Sequence, residues 1–224
     1  MSPILELSNL GCERDERQLF SGLNVQIHAG DIVQIEGPNG CGKTTLLRIL
    51  TTISSDFSGD IYWRGQPLTT AKLDFLNHLL YIGHLPGVKK ALTPRENLLW
   101  FSGMNDGHQQ RPIDEALDEV GLYGFEDVPC YSLSAGQLRR VALARLFLTP
   151  AQIWILDEPF TAIDKQGIKN LEALMTEHAA GGGSIILTTH QDMGINGVRR
   201  INLQDFATIA ATTSLADAEA EAFR

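Results

Sequence analysis

One run of residues, Gly37-Pro38-Asn39-Gly40-Cys41-Gly42-Lys43-Thr44-Thr45, has the types and spacing needed to hold a chain of phosphates. It follows the apolar run Ile32-Val33-Gln34-Ile35-Glu36 and leads into Leu46-Leu47-Arg48-Ile49-Leu50. That order reads as strand, glycine-rich turn and helix, with G-x-x-x-x-G-K-S/T spanning Gly37 to Thr44. Gly37, Gly40 and Gly42 let the backbone curl until successive N–H groups face phosphate oxygens. The helix start adds unpaired N–H groups and the positive end of its dipole. Lys43 supplies a point charge for the β- and γ-phosphates, and the Thr44 hydroxyl is a ligand for Mg²⁺. These residues define a nucleoside-triphosphate site.

Two further groups belong to the same chemistry. Leu156-Asp157-Glu158-Pro159 ends an apolar strand in two carboxylates. Asp157 can hold Mg²⁺, usually through water, and Glu158 can accept a proton from an attacking water. Leu133-Ser134-Ala135-Gly136-Gln137 opens a helix, so Ser134 and the Gly136 N–H form a second anion site at a helix N-terminus.

The elements that must position these groups follow from periodicity. Residues 4–7 and 23–27 read as strands, with the polar stretch 12–17 between them as a hairpin loop. Residues 59–65 read as another strand, which together make a small N-terminal antiparallel β layer, and 79–83 as a short buried strand. From Leu92 to about Gly121 the pattern turns helical, with Thr93 as N-cap, Glu96 three residues on, and a second helix opened by Pro112. Residues 104–111 read as a loop. A helix from Gln137 to Leu148 places Leu138, Val141, Ala142 and Leu146 on one face. The strands 153–156 and 184–188 are nearly continuous apolar runs, as in sheets covered on both faces, with a helix near 167–179 between them. The expected fold is α/β, a phosphate-loop core with an inserted helical subdomain at about 90–150. The expected domain is 1–204, followed by an acidic tail, 205–224. Beyond Thr212 that tail is expected to be disordered, with a weak helix capped by Ser214 as the alternative.

Composition narrows the partners. The 224 residues carry a formal net charge of −9, which argues against a nucleic-acid backbone as principal partner. No run approaches the roughly 18 apolar residues of a membrane span, and the first residues are too polar for a signal peptide. Cys12, Cys41 and Cys130 lack metal-ligand spacing and fit a reducing compartment.

Together these motifs resemble the ATP-binding-cassette ATPases from Ile4 to Leu203. Thr161-Ala162-Ile163-Asp164 resembles the D-loop of that family, and His190 its switch histidine. The resemblance implies ATP and Mg²⁺ as cofactors and an ATP-sandwich dimer with a second copy of the chain. In that dimer Ser134, Gly136 and Gln137 would contact the γ-phosphate across the subunits, with Asp164 at the dimer D-loop. His190 would sense that phosphate while Glu158 polarises water. Two features depart from the family pattern. No aromatic residue stands in 12–17 to stack on adenine, leaving Arg14 or Arg17 for that place. Where the family has a glutamine after the 79–83 strand, this chain has His84, so His84 or water would complete the Mg²⁺ shell.

Within the family, Cys12-Glu13-Arg14-Asp15-Glu16-Arg17, Leu19-Phe20-Ser21-Gly22-Leu23, Ile82-Gly83-His84, the run from Trp154 to Asp164 and Thr188-Thr189-His190-Gln191 look like the haem-exporter ATPases of bacterial cytochrome c maturation. That resemblance implies a peripheral place on the cytoplasmic face of the inner membrane and integral-membrane permease partners that handle haem. The alternatives are the ATPase of another small permease, or a soluble cassette ATPase in cofactor assembly.

Overall fold

The computed structural model describes residues 2–104 and 111–207. The chain opens with β1 (Leu5–Arg14), β2 (Arg17–Ile27) and β3 (Ile32–Glu36), and the phosphate-type loop then enters α1 (Lys43–Leu50). Next come β4 (Ser58–Trp63), β5 (Gln66–Pro67), α2 (Leu68–Asn77) and β6 (Leu79–Ile82). The helices α3 (Pro94–Met104), α4 (Ile113–Glu119) and α5 (Ala135–Leu143) follow. β7 (Ile153–Asp157), α6 (Lys165–Ala180), β8 (Ser184–Thr188) and β9 (Arg199–Asn202) complete the described part.

Two sheets face each other. One is antiparallel, in the order β2-β1-β4-β5; the other has five parallel strands in the order β6-β7-β8-β3-β9. All five residues of β7 and of β8 are buried, which is why both read as unbroken apolar runs. Their alternate side chains serve different layers. Ile153, Ile155 and Ile186 join the core shared with Leu5, Phe20, Leu47 and Trp63 of the antiparallel side. Trp154, Leu156, Ile185 and Leu187 join the core under α5 and α6 with Leu146, Leu171 and Met175. A separate core, including Leu98, Leu117, Cys130 and Val141, sits among α3, α4 and α5.

The capping signals hold at atomic level. The Thr93 N–H donates to Glu96 Oε2 at 2.8 Å, and the Glu96 N–H donates back to Thr93 Oγ1 at 3.2 Å. Elsewhere the structure differs from the sequence expectations. The expected 12–17 loop shrinks to a turn at Asp15 and Glu16, both at positive φ, because Cys12, Glu13 and Arg14 pair with Phe20, Gln18 and Arg17. The expected 137–148 helix starts two residues earlier and ends at Leu143, where a 3₁₀ turn, Ala144–Phe147, takes over. Neither α2 nor β9 was anticipated: β9 is Arg-Arg-Ile-Asn at a sheet edge, without an apolar period. Most of the expected 104–111 loop, and the tail from 208 onward, lie outside the described residues.

One packed pair predicts a pH response. His178 of α6 stacks on Trp154 with ring centroids 3.7 Å apart and an interplanar angle of 7°. Burial pushes its imidazole down from 6.5 to about 4. Between those values the unfolded chain binds a proton that the folded chain refuses. The contribution of His178 is therefore complete above about pH 6.5 and is lost as pH falls towards 4. His178→Phe, which keeps a ring against Trp154, is expected to lose less thermal stability than wild type between neutral pH and pH 5. Melting curves across that range check it, and parallel pH slopes would refute it.

Candidate nucleotide-binding and hydrolytic site

The phosphate-type loop joins the C-terminal end of β3, a central strand, to α1. Gly37, Gly40 and Gly42 have φ of 140°, 81° and 105°, a region that favours glycine. At Gly37 space is also limiting, since a Cβ there would lie 2.6 Å from Cys41 Sγ. No side chain caps α1, so its N-terminal N–H groups stay available to an anion. Lys43 curls back over the loop, and its Nζ donates to the Gly37 carbonyl at 2.6 Å and the Pro38 carbonyl at 3.2 Å. Pro38, Asn39 and Cys41 shape the loop between the glycines, and Thr44 and Thr45 begin the helix.

Parallel pairing brings the carboxylates to the same sheet end. Asp157 lies opposite Thr188 in the β7–β8 register, and Thr188 Oγ1 donates to its Oδ1 at 2.7 Å. Its Oδ2 is buried without a hydrogen-bond partner among the described residues. A carboxylate with one oxygen left open, on a residue that lines the same cavity as Thr44, is what a hard, oxygen-seeking cation requires, so the residues present fit Mg²⁺. Glu158 follows at φ 51°, with its N–H donating to Thr188 O at 3.1 Å and Thr188 Oγ1 at 3.0 Å. Its carboxylate lies 3.5 Å from His190 Nε2.

Lys43, Thr44, Asp157, Glu158 and His190 line one cavity of about 710 Å³. Arg14 and Arg17 of the β1–β2 hairpin and His84 after β6 complete its walls. The two arginines and His84 therefore stand where the missing aromatic and glutamine would have been sought. Ser134, Gly136 and Gln137 lie elsewhere and do not line this cavity. Ser134 instead caps α5 in a reciprocal pair with Gln137, at 3.2 Å and 2.9 Å. Gly136 packs under the 161–164 turn so closely that a Cβ would stand 2.6 Å from the Ala162 carbonyl. Asp164 is engaged within its own chain. Its Oδ1 caps α6 through the Gly167 N–H at 2.8 Å, and Oδ2 pairs with Arg140. The Gly167 hydrogen bond first, then Arg140, holds its carboxyl below the usual range.

Sequence reasoning missed Arg139 and Arg140. Arg140 joins Asp164 to the carbonyls of Val120 and Gly121 at the end of α4, at 3.3 Å and 3.4 Å. Arg139 points the other way and reaches the backbone of Asp157 and Glu158. The only signal for either was charge on a helix that is otherwise apolar on its buried face.

A parallel sheet with a phosphate loop at the end of β3 and paired acids at the same end of β7, with β8 between them, defines a nucleotide-hydrolysing cassette. The ABC transporter family matches residues 20–161, and the chain belongs to that family. It is therefore an ATP-hydrolysing protein that uses ATP with Mg²⁺.

Among curated relatives, it is 53% identical over 204 residues to the cytochrome c biogenesis ATP-binding export protein CcmA of Hahella chejuensis, covering 90% of this chain and 96% of that one. It is 50% identical over 213 residues to the protein of the same description from Yersinia pestis, covering 93% and 98%. A solved structure described as a putative ABC transporter ATP-binding protein from Pyrococcus furiosus superposes with a TM-score of 0.77 at 24% identity. It covers 91% of this chain and 99% of that one, and shows the shared fold. No helix among the described residues is long and apolar enough to cross a membrane.

Proposed function

We propose that this chain is the ATPase subunit of a membrane complex in c-type cytochrome biogenesis, powering haem export or release of a haem-loaded chaperone. The biological part rests on about half the residues being identical, nearly end to end, to export proteins of that description. The chemical part is carried by one observation: Asp157, whose buried Oδ2 has no partner among the described residues, lines the cavity that is also lined by Lys43, Glu158 and His190.

In this reading the N–H groups of the 37–45 loop and the α1 N-terminus hold the phosphates. Lys43 leaves the Gly37 and Pro38 carbonyls for the stronger acceptors of the β- and γ-phosphates. Thr44 and Asp157 hold Mg²⁺, which when bound neutralises charge on the phosphate oxygens. Glu158 orients and deprotonates the attacking water, and His190, within reach of both Glu158 and the cavity, holds the γ-phosphate end. Arg14 or Arg17 takes the face of the base.

Ser134, Gly136 and Gln137, outside their own chain's cavity, serve the nucleotide of a second copy. Asp164 holds the D-loop in shape through α6 and Arg140, so its contribution to the dimer is to place the 161–164 turn beside Gly136. The membrane partner docks on the cleft of about 680 Å³ next to the site. Ile53 and Leu85 line it and are 63% and 81% exposed, so they offer apolar side chains to a docking partner. The chain would then sit peripherally on the cytoplasmic face of the inner membrane, its domain ending near 204.

Cells whose only copy is Glu158→Gln are expected to keep normal levels of membrane-associated protein and to lose nearly all covalent haem from c-type cytochromes. Haem staining of separated membrane proteins reads this directly. Normal cytochromes with loss of transport of another solute would assign the chain to a different small permease. A maturation defect from a chain that never sediments with membranes would favour a soluble cofactor-assembly role.

A further inference from the structure

Arg139 lies in the second turn of α5, on the buried face that carries Ala142, and is 4% exposed. One terminal nitrogen donates to the Gly83 carbonyl at 2.7 Å and the His84 carbonyl at 3.5 Å. The other donates to the carbonyls of Asp157 at 2.8 Å and Glu158 at 2.9 Å. Burial lowers its pKa, against the opposing pull of the Asp157 and Glu158 carboxylates, yet a guanidinium stays charged. Its Nε has no partner among the described residues. A buried cation satisfied only by main-chain carbonyls is a poor device for stability, because the desolvation cost is large and an apolar residue would fill the same space.

The geometry makes sense as positioning. Glu158 sits at φ 51°, a conformation that a residue with a side chain holds only when its surroundings impose it. Thr188 holds its N–H, and Arg139 holds its carbonyl, so both ends of the residue are pinned. The same planar group also grips the start of the 83–87 segment, which walls the exposed cleft beside the site. It is mounted on the helix that Ser134 caps. A single side chain thus ties two segments with different tasks to the helix that carries it.

We propose that Arg139 is a positioning residue for hydrolysis: it sets Glu158 against the water and keeps Glu158 in place only while the 83–84 backbone and the Ser134 helix are seated. This rests on Glu158 being the general base. A displacement of either segment, by a docked partner or a second copy, would then reach the carboxylate through the guanidinium without touching the nucleotide.

The test measures steady-state hydrolysis by the full chain, purified and in membranes with its partners, for Arg139→Gln and Arg139→Lys. Arg139→Gln is expected to lower kcat by at least about 10-fold with KM and nucleotide affinity within about 3-fold, the pattern of an interaction used in the transition state alone. Arg139→Lys keeps charge and length but cannot bridge both pairs of carbonyls, so it should recover only part of the loss. Added to Glu158→Gln, Arg139→Gln should lower the residual rate by less than about 2-fold, because the two act through one group. Unchanged kcat in a folded variant, a loss shared equally by affinity and kcat, or full additivity with Glu158→Gln would overturn the proposal. If circular dichroism shows Arg139→Gln unfolded, Arg139→Lys decides by the same criteria. Full turnover in Glu158→Gln alone would overturn the assignment of the base and this proposal with it. An inactive Glu158→Gln beside a fully active Arg139→Gln overturns only the proposal.

Discussion

Glu158→Gln is expected to bind MgATP as tightly as the wild-type chain and to hydrolyse it at least about 100-fold more slowly, the lower end of what a positioned general base contributes. The substitution removes the acceptor of the water's proton and little else. The backbone of residue 158 stays held by Thr188 and Arg139, neither of which touches the carboxylate. His190 Nε2, 3.5 Å from the Glu158 carboxylate, would lie equally close to an amide at that place. With binding intact and chemistry stopped, the protein should accumulate in its nucleotide-bound state, seen as an ATP-dependent increase in mass on gel filtration if two copies share the sites. Binding by fluorescence and single-turnover hydrolysis separate the two steps. Turnover within a few-fold of wild type would remove Glu158 from the chemistry.

Lys43→Ala should do the reverse and strike binding first. Charge-assisted hydrogen bonds are each worth roughly 1.5–3 kcal/mol, so ATP affinity should fall on the order of 10- to 100-fold. ADP affinity should fall less if Lys43 reaches the γ-phosphate. The loop's own contacts add a second effect. Lys43 Nζ ties the loop to its own Gly37 and Pro38 carbonyls, so its loss should also lower thermal stability slightly without nucleotide. Calorimetric titration with both nucleotides, beside melting curves of the empty chain, distinguishes the two. Undiminished ATP affinity in a folded Lys43→Ala chain would contradict the placement of the phosphates.

The failures of sequence reading have physical causes that particular residues make plain. β9 was invisible because Arg199-Arg200-Ile201-Asn202 lies at a sheet edge, where one strand face needs no apolar residue and the ladder to β3 is joined by an Arg200–Glu36 ion pair instead of apolar packing on that face. The 12–17 stretch read as a loop because its charges are exposed. The strand nevertheless continues through it, since Cys12 is buried and the ladder runs to Arg14. Arg139 falls on the apolar face of its helix, and a lone arginine gives no sign that four carbonyls from two strand ends will meet it.

By itself the sequence determined what is local: the glycine spacing that curls the 37–45 loop, the Ser134 and Thr93 caps, and the apolar runs that make β7 and β8 central strands. Each depends on residues within a few positions of one another, and their chemistry is written in their types. The tertiary structure alone decided which of these local pieces meet. Parallel pairing of β7 with β8 sets Asp157 opposite Thr188 and leaves one carboxylate oxygen open. The fold carries Ser134 away from its own phosphate loop and draws Arg139 into the backbone of Glu158. Such contacts join positions separated by tens of residues, and only the closing of the sheet and its covering helices fixes their distance.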